Sequence, residues 1–273
     1  VVSFFALHVT SIHGDTRILH PDHKGLAAEA FEAWARAAGH APGLVALFAQ
    51  GAAGDVSPNV RFEPARRVRV GPGASDEVSA RLVASAQVAA TRRAFETAAP
   101  LEALPLDAAA SHVDLERRAV PAAFAGGAPA RTSRARLGLA MAAGTAEGPG
   151  PLAGLPLPRR PGARDPKVTL LAVGPGVRRR LLAALDPRRL PALHPAFAHA
   201  RGADDEAWIP TVLPVQLFRI GALAIAALPN EPTTAAGRRL AAQLAPRLRG
   251  RHVHVQGYAN AYPGYLTTPH EYR

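Results

Sequence analysis

The sequence predicts an α/β (α+β) fold, a layered mixed sheet flanked by helices. Two observations lead there. Short apolar runs of strand length alternate with longer stretches whose apolar residues recur at helical spacing, and no internal repeat is present. At 273 residues, 48% of them apolar, the chain is long enough to bury a substantial core. The expectation is a single domain over 1–273, with an irregular, loop-rich region around 98–166.

Val1 to His8 reads as a buried strand that ends in a polar residue. Asp22 to Ala38 carries apolar residues at helical spacing and predicts a helix starting near Asp22. Gly43 to Ala49 is a second buried strand, running into a Gly-rich turn from Gln50 to Asp55. Ser75 to Glu96 predicts a long amphipathic helix, with Ser75 as N-cap and Glu77 near its first turn. From Ala98 to Pro166 the pattern breaks up, apart from a strand-like piece at Ser111 to Leu115, and Gly144 to Gly150 reads as a loop. Val168 to Val173 suggests a short strand. Trp208 to Leu228 predicts two strands around a turn at Ile220-Gly221. Thr233 to Leu248 is a helix, His252 to Gly257 a last strand, and a Tyr-rich loop follows.

Composition narrows the chemistry. Without cysteine there is no disulfide scaffold, thiolate metal site or Cys nucleophile, so any metal must be held by His, carboxylate or another oxygen. The net charge of +11 comes almost wholly from Arg; it suits an anionic surface or acidic partner and equally reads as solvated surface arginines. The arginines fall in short clusters (Arg66, Arg67 and Arg69; Arg178 to Arg180; Arg188 and Arg189; Arg238 and Arg239). With aromatics at 5%, no stacking platform for bases accompanies them, so no nucleic acid is expected. The most apolar stretch, Val212 to Leu228, is interrupted by Pro214, Gln216, Arg219 and Gly221 and reads as a hairpin, not a membrane span. Neither a signal peptide nor a transmembrane segment is visible.

Three segments share one design, an apolar strand delivering a metal-competent residue into a following loop. Phe4 to Ser11 delivers His8, whose neutral imidazole can coordinate a metal and can equally serve as a hydrogen-bonded core residue. Ala226 to Thr234 delivers Glu231 between stiffening prolines 229 and 232. A carboxylate there fits a metal ligand and fits a helix cap. Gly257 to Thr268 delivers a tyrosine cluster, a pattern common among packing and hydrogen-bond anchors. A fourth segment, Gln50 to Asn59, combines glycines that permit close backbone approach with Ser57, either a nucleophile or hydrogen-bond donor or an ordinary turn serine. It is neither a Gly-x-Ser-x-Gly elbow nor a phosphate-binding loop.

Taken in order, these segments resemble the neutral (non-lysosomal) ceramidase family. Gly54-Asp55-Val56-Ser57-Pro58-Asn59 looks like that family's serine-bearing motif. Glu231-Pro232-Thr233-Thr234, followed by Gly237-Arg238-Arg239-Leu240, looks like its zinc-glutamate segment. Asn260 to Tyr272 is similar to its zinc-tyrosine segment. Gly71-Pro72-Gly73, the Gly144 to Gly150 loop and Pro214 to Gly221 add to the match, which thins over 101–134 and 174–206. The resemblance implies the layered α/β fold of that catalytic domain and hydrolysis of ceramide to sphingosine and a fatty acid. It implies one Zn2+ held by His8, Glu231 and Tyr265, with Ser57 at the reaction centre as nucleophile or hydrogen-bond donor. Gly54, Asp55, Asn59 and Tyr262 are expected to line the substrate site. It also implies peripheral contact with membrane lipid and a secreted or cell-envelope location.

The chain departs from the family in several places. Asn230 stands where the family usually has Gly, and Glu147 where it has Asp. The family's His-x-His segment, which supplies a further zinc ligand, and its immunoglobulin-like domain both fall outside these 273 residues, so the chain is expected to be a fragment. The readings that compete are a related zinc hydrolase acting on another N-acyl or ester substrate, and a non-catalytic Arg-rich protein that binds anionic surfaces.

Overall fold

The computed structural model describes residues 1–14, 16, 18–40, 42–65, 68–99, 105–132, 144–145, 147–149, 210–249 and 252–271. These form two compact units, Val1–Val113 with Leu213–Arg273, and Asp114–Val212. The candidate residues all belong to the first unit. The strand expected at Val168 to Val173, the clusters Arg178 to Arg180 and Arg188–Arg189, and Tyr272 lie outside the described residues.

The first unit opens with a strand–helix–strand crossover. β1 (Val2–Phe4) pairs in parallel with β2 (Leu47–Ala49), placing Phe4 opposite Ala49, and α1 (Asp22–Ala37) makes the connection. Both strands are shorter than their apolar runs, because side chains capture the backbone beyond them. The Gln50 amide takes both backbone groups of Leu7, accepting from its N–H at 2.9 Å and donating to its carbonyl at 2.6 Å. Glu32 accepts the N–H of Ala46 at 2.9 Å. Asp22 is the first helical residue, as expected, yet the N-cap is Pro21, with no side-chain cap. The Asp22 carboxylate instead accepts from the N–H groups of His23 and Ile12.

α2 (Asp76–Thr97) starts from the expected cap, where the Ser75 hydroxyl accepts the Val78 N–H at 3.3 Å. Buried Ala27, Phe31 and Ala35 of α1 recur every fourth residue and face Ala84 of α2 and Ala46 and Phe48 of the β2 segment. Phe31 sits at the centre, 5.1 Å from Trp34, 5.6 Å from Phe95 and 6.4 Å from Phe48 between ring centroids. Between β2 and α2 lies a hairpin the hydrophobic pattern did not announce, β3 (Arg61–Glu63) with β4 (Val68–Val70). Its signal is weak because Val68 and Val70 are buried while Phe62 is exposed.

The second part of this unit is a four-stranded mixed sheet. β5 (Leu106–Asp114) is an exposed edge strand, longer than the piece expected at Ser111 to Leu115. Beyond it come β10 (Val212–Ile220) and β11 (Leu223–Ala227), the predicted hairpin, and then β13 (His252–Gln256). β11 and β13 are parallel and joined by α3 (Thr234–Arg247), so they form a second crossover. The Thr233 hydroxyl caps α3, accepting the Ala236 N–H at 3.2 Å. The two crossovers touch where the His254 ring lies 3.9 Å from that of Phe4 and its Nε2 donates to the Gln50 carbonyl at 3.2 Å.

In the second unit, β6 (Ala119–Val120) pairs with β7 (Ala130–Arg131). The expected loop at 144–150 contains a small antiparallel pairing, β8 (Gly144–Thr145) with β9 (Gly148–Pro149).

Candidate active site

Four segments leave the C-terminal ends of parallel strands: His8 after β1, the Gly-rich turn after β2, Glu231 after β11 and the Tyr-rich loop after β13. Ligands of open α/β sheets collect at this edge, where strands end and loops can converge. The segments are stitched together by backbone. β12 (Glu231–Pro232) pairs in parallel with β14 (Tyr265–Leu266), which sets Glu231 opposite Tyr265. The Gly54 N–H donates to the Pro232 carbonyl at 2.8 Å, and the His8 N–H to the Val56 carbonyl at 2.9 Å.

At position 54 only glycine fits. A Cβ there would lie 2.8 Å from the Glu231 carbonyl oxygen and 3.1 Å from backbone atoms of Pro232. Asp55 then accepts both the N–H and the hydroxyl of Thr234, at 2.7 and 2.9 Å, tying the turn to the first residue of α3. The far end of the Tyr-rich loop is fastened by Glu271, which accepts from the Thr268 N–H at 2.7 Å and the Thr233 hydroxyl at 2.8 Å. Those bonds hold its carboxyl below the usual glutamate range.

His8 and Glu231, 223 positions apart, meet directly. Nε2 of His8 donates to Oε2 of Glu231 at 2.8 Å, and Glu231 is only 5% exposed. Two phenols complete the carboxylate's surroundings. Tyr258 donates to Oε2 at 2.6 Å and Tyr262 donates to Oε1. Burial first, and then the hydrogen bond to Glu231, push both phenols well above the ordinary tyrosine value, so they stay neutral donors. Their rings stack, 6.3 Å apart and 8° from parallel. Tyr258 and Asn260 hold left-handed φ values of 59° and 63°, a cost that side chains other than glycine's accept where surrounding contacts impose it.

Tyr265 places its ring edge-on to His8, with centroids 6.2 Å apart, and is 47% exposed. Ser57 is half-buried on the turn that follows Val56, and its Oγ accepts the Asn59 N–H at 2.9 Å. Asn59 is 2% exposed, and its Nδ2 donates to the Thr10 carbonyl at 2.8 Å, so it ties the Ser57 turn to the loop after His8. The structure thus brings His8, Glu231, Tyr262 and Tyr265 together. Gly54 and Asp55 are the backbone and capping contacts that hold them, and Asn59 braces the turn from beneath.

Sequence reasoning missed Tyr258. Its signal was present, since Tyr258 and Tyr262 stand four residues apart on one loop, but only the left-handed turn at Tyr258 aims both at the same carboxylate. It also missed buried His23, whose Nε2 donates to the His8 carbonyl at 2.8 Å. Burial lowers the pKa of His23, against the opposing pull of that bond, and burial likewise lowers that of His254 against its bond to Gln50.

Among the described residues no three His, Asp or Glu side chains gather as a metal cluster. Beside His8 and Glu231, the loop after β13 offers tyrosine oxygens, with Tyr265 set opposite Glu231. The donor set is chemically apt for zinc. One imidazole nitrogen, one carboxylate and one phenol, with no thiolate, suit a borderline ion that takes N and O ligands.

The whole chain, residues 1–273, matches the family description "Neutral/alkaline non-lysosomal ceramidase, N-terminal". It is 36% identical to the neutral ceramidase of Pseudomonas aeruginosa, over 99% of this chain and 38% of that protein. It is 32% identical to the neutral ceramidase of Mycobacterium tuberculosis, over 100% of this chain and 41% of that protein. A solved ceramidase complexed with C2 superposes with a TM-score of 0.69 at 31% identity, covering 98% of this chain and 40% of that one. The crystal structure of the Pseudomonas aeruginosa neutral ceramidase gives 0.65 at 29% identity, over 99% and 38%. The chain belongs to the neutral/alkaline non-lysosomal ceramidase family and has its mixed α/β fold. It spans about 40% of the length of the relatives it matches.

Proposed function

We propose that this chain carries the reaction centre of a zinc-dependent hydrolase that cleaves the N-acyl amide bond of a ceramide-like lipid, yielding sphingosine and a fatty acid. One observation carries the reading. An imidazole and a buried carboxylate from the two ends of the chain meet at 2.8 Å on the strand edge where α/β folds place ligands. Family membership supports the substrate class.

His8, Glu231 and Tyr265 would hold the zinc. Bound there, it supplies a Lewis acid for the amide carbonyl and lowers the pKa of a water. The chain's own residues do the rest. Glu231 is buried and takes hydrogen bonds on both oxygens, so its position is fixed before any ligand arrives. Tyr258 and Tyr262 hold their protons and act as donors, not bases. Ser57, held at the turn by Asn59, stands either to donate to the substrate carbonyl or to attack it. In the balanced reaction the C–N bond breaks, the acyl carbon gains the hydroxyl of water, and the amine nitrogen gains its proton. A lipid substrate brings peripheral contact with membrane lipid, and a secreted or cell-envelope setting accords with it. Among the described residues no helix is long and apolar enough to cross a membrane.

The test is metal analysis of the purified chain alongside hydrolysis of a fluorescent ceramide. Stoichiometric zinc, lost together with activity in Glu231→Ala, is the expected result. Zinc retained at full stoichiometry in that variant would remove Glu231 from the ligand set. Zinc binding with an uncut ceramide and a cleaved N-acyl or ester analogue would move the substrate within the family.

A further inference from the structure

His8 is fixed through its backbone as well as its ring. Leu7 before it is held on both sides by Gln50, and its own N–H donates to Val56. Its carbonyl lies at the point where β1 has ended and the chain passes to exposed Val9. That carbonyl accepts from Nε2 of His23 on α1 at 2.8 Å. Nδ1 of His23 faces Nε2 of Gln87 on α2, also at 2.8 Å, and the same amide nitrogen approaches the Val83 carbonyl at 3.4 Å. His23 is 0% exposed and Gln87 is 2% exposed.

The chemistry of the groups orders this chain. A carbonyl only accepts, so Nε2 of His23 carries the hydrogen. An amide nitrogen only donates, so Nδ1 of His23 accepts. A single tautomer satisfies both partners. We infer that His23 and Gln87 are positioning residues for His8. Gln87 selects the tautomer of His23, and His23 then anchors the peptide from which the His8 ring reaches Glu231. The consequence for metal binding rests on the zinc reading above. A ligand set must be held to within about 0.5 Å of its working geometry, and partners behind the ligands typically contribute 10–100-fold in metal affinity.

Three variants test this: His23→Leu, Gln87→Leu and His23→Gln, the last keeping an amide N–H where Nε2 stood. Zinc affinity is read by competition with a chromogenic chelator, folding by circular dichroism, and the His23 tautomer by ring-nitrogen NMR of the unsubstituted chain. We expect the Nε2–H tautomer. We expect affinity about 10–100-fold weaker in the two Leu variants and largely restored in His23→Gln. A merely structural role would lower the melting temperature and leave the affinity of the folded molecules untouched, which overturns the proposal. A His23 protonated on Nδ1, or on both nitrogens, overturns it as well. Should His23→Leu fail to fold, Gln87→Leu and the tautomer decide. If the unsubstituted chain takes up no zinc, the zinc reading fails separately. The relay then stands or falls on whether the His8 ring signals shift in Gln87→Leu or stay put.

Discussion

At the scale of single residues, the site is a carboxylate surrounded by donors. Glu231 takes one hydrogen bond from an imidazole and two from phenols, and all three donors depend on it. Removing this buried acceptor breaks all three bonds, each with a net worth of about 0.5–3 kcal/mol, so Glu231→Ala carries a stability loss as well as a functional one. Ser57 is different. Its Oγ accepts one turn N–H, a bond with a net worth of about 0.5–1.5 kcal/mol. On the proposed zinc-hydrolase reading, Ser57→Ala should fold, still bind zinc and slow ceramide hydrolysis by roughly 100-fold or more, the scale expected for a lost transition-state donor. Steady-state hydrolysis beside metal content measures this directly, and an unchanged rate takes Ser57 out of the mechanism.

At the scale of elements, the site depends on close backbone approach. Gly54→Ala would push a Cβ against the Glu231 and Pro232 backbone, atoms that cannot turn aside as a side chain can. The expected loss is about 1–3 kcal/mol, read as a lower denaturation midpoint together with weaker zinc binding. Stability unchanged in this variant would mean the two segments can separate without consequence. Lys24 braces the neighbouring crossover by donating to the carbonyls of Phe5 at 2.9 Å and Ala49 at 3.2 Å, just past the β1–β2 ladder. Burial lowers its pKa to about 8 from the ordinary 10.5. Between these values the unfolded chain binds the proton and the folded chain has released it, so this group makes stability rise with pH across that window. Below pH 8 both states are charged and the full cost of burying the ammonium is present. The stability of the parent relative to Lys24→Met should accordingly climb from pH 8 to 10.5 in urea titrations, whereas a flat or falling difference contradicts the burial. Much of this architecture is legible in sequence. Helical spacing marks α1, α2 and α3, the cap at Ser75 marks one start, and Ile220-Gly221 marks the hairpin. Strand ends and the β3–β4 hairpin are not legible, because Gln50 and Glu32 capture backbone groups across the fold and Phe62 points outward. In the site, His8 and Glu231 stand out as residues delivered by strands, and Tyr262 as one of a tyrosine cluster on the last loop. Tyr258, His23 and Gln87 do not, because their roles exist only once two helices and the last loop are packed together.

At the scale of the whole molecule, the first and last segments of the chain must both be in place before any site exists. β1 and its loop supply His8, whereas β11, β13 and their loops supply Glu231 and the phenols. Such long-range closure makes formation of the site cooperative with folding of the whole first unit. The charge of the molecule bears on what this unit meets. A net +11 on 273 residues gives a field that favours anionic surfaces, and the family's substrate class is a lipid. Attraction of this kind is screened as the Debye length shrinks from about 10 Å at 0.1 M salt to about 3 Å at 1 M. The chain should therefore co-sediment with vesicles containing anionic phospholipid at 0.1 M salt, less with purely zwitterionic vesicles, and be largely released from the anionic ones at 1 M. Equal binding to both vesicle types, unaffected by salt, would assign membrane contact to apolar surface and not to the arginines. No binding to either would mean that the positive charge does not bring the chain to a lipid surface.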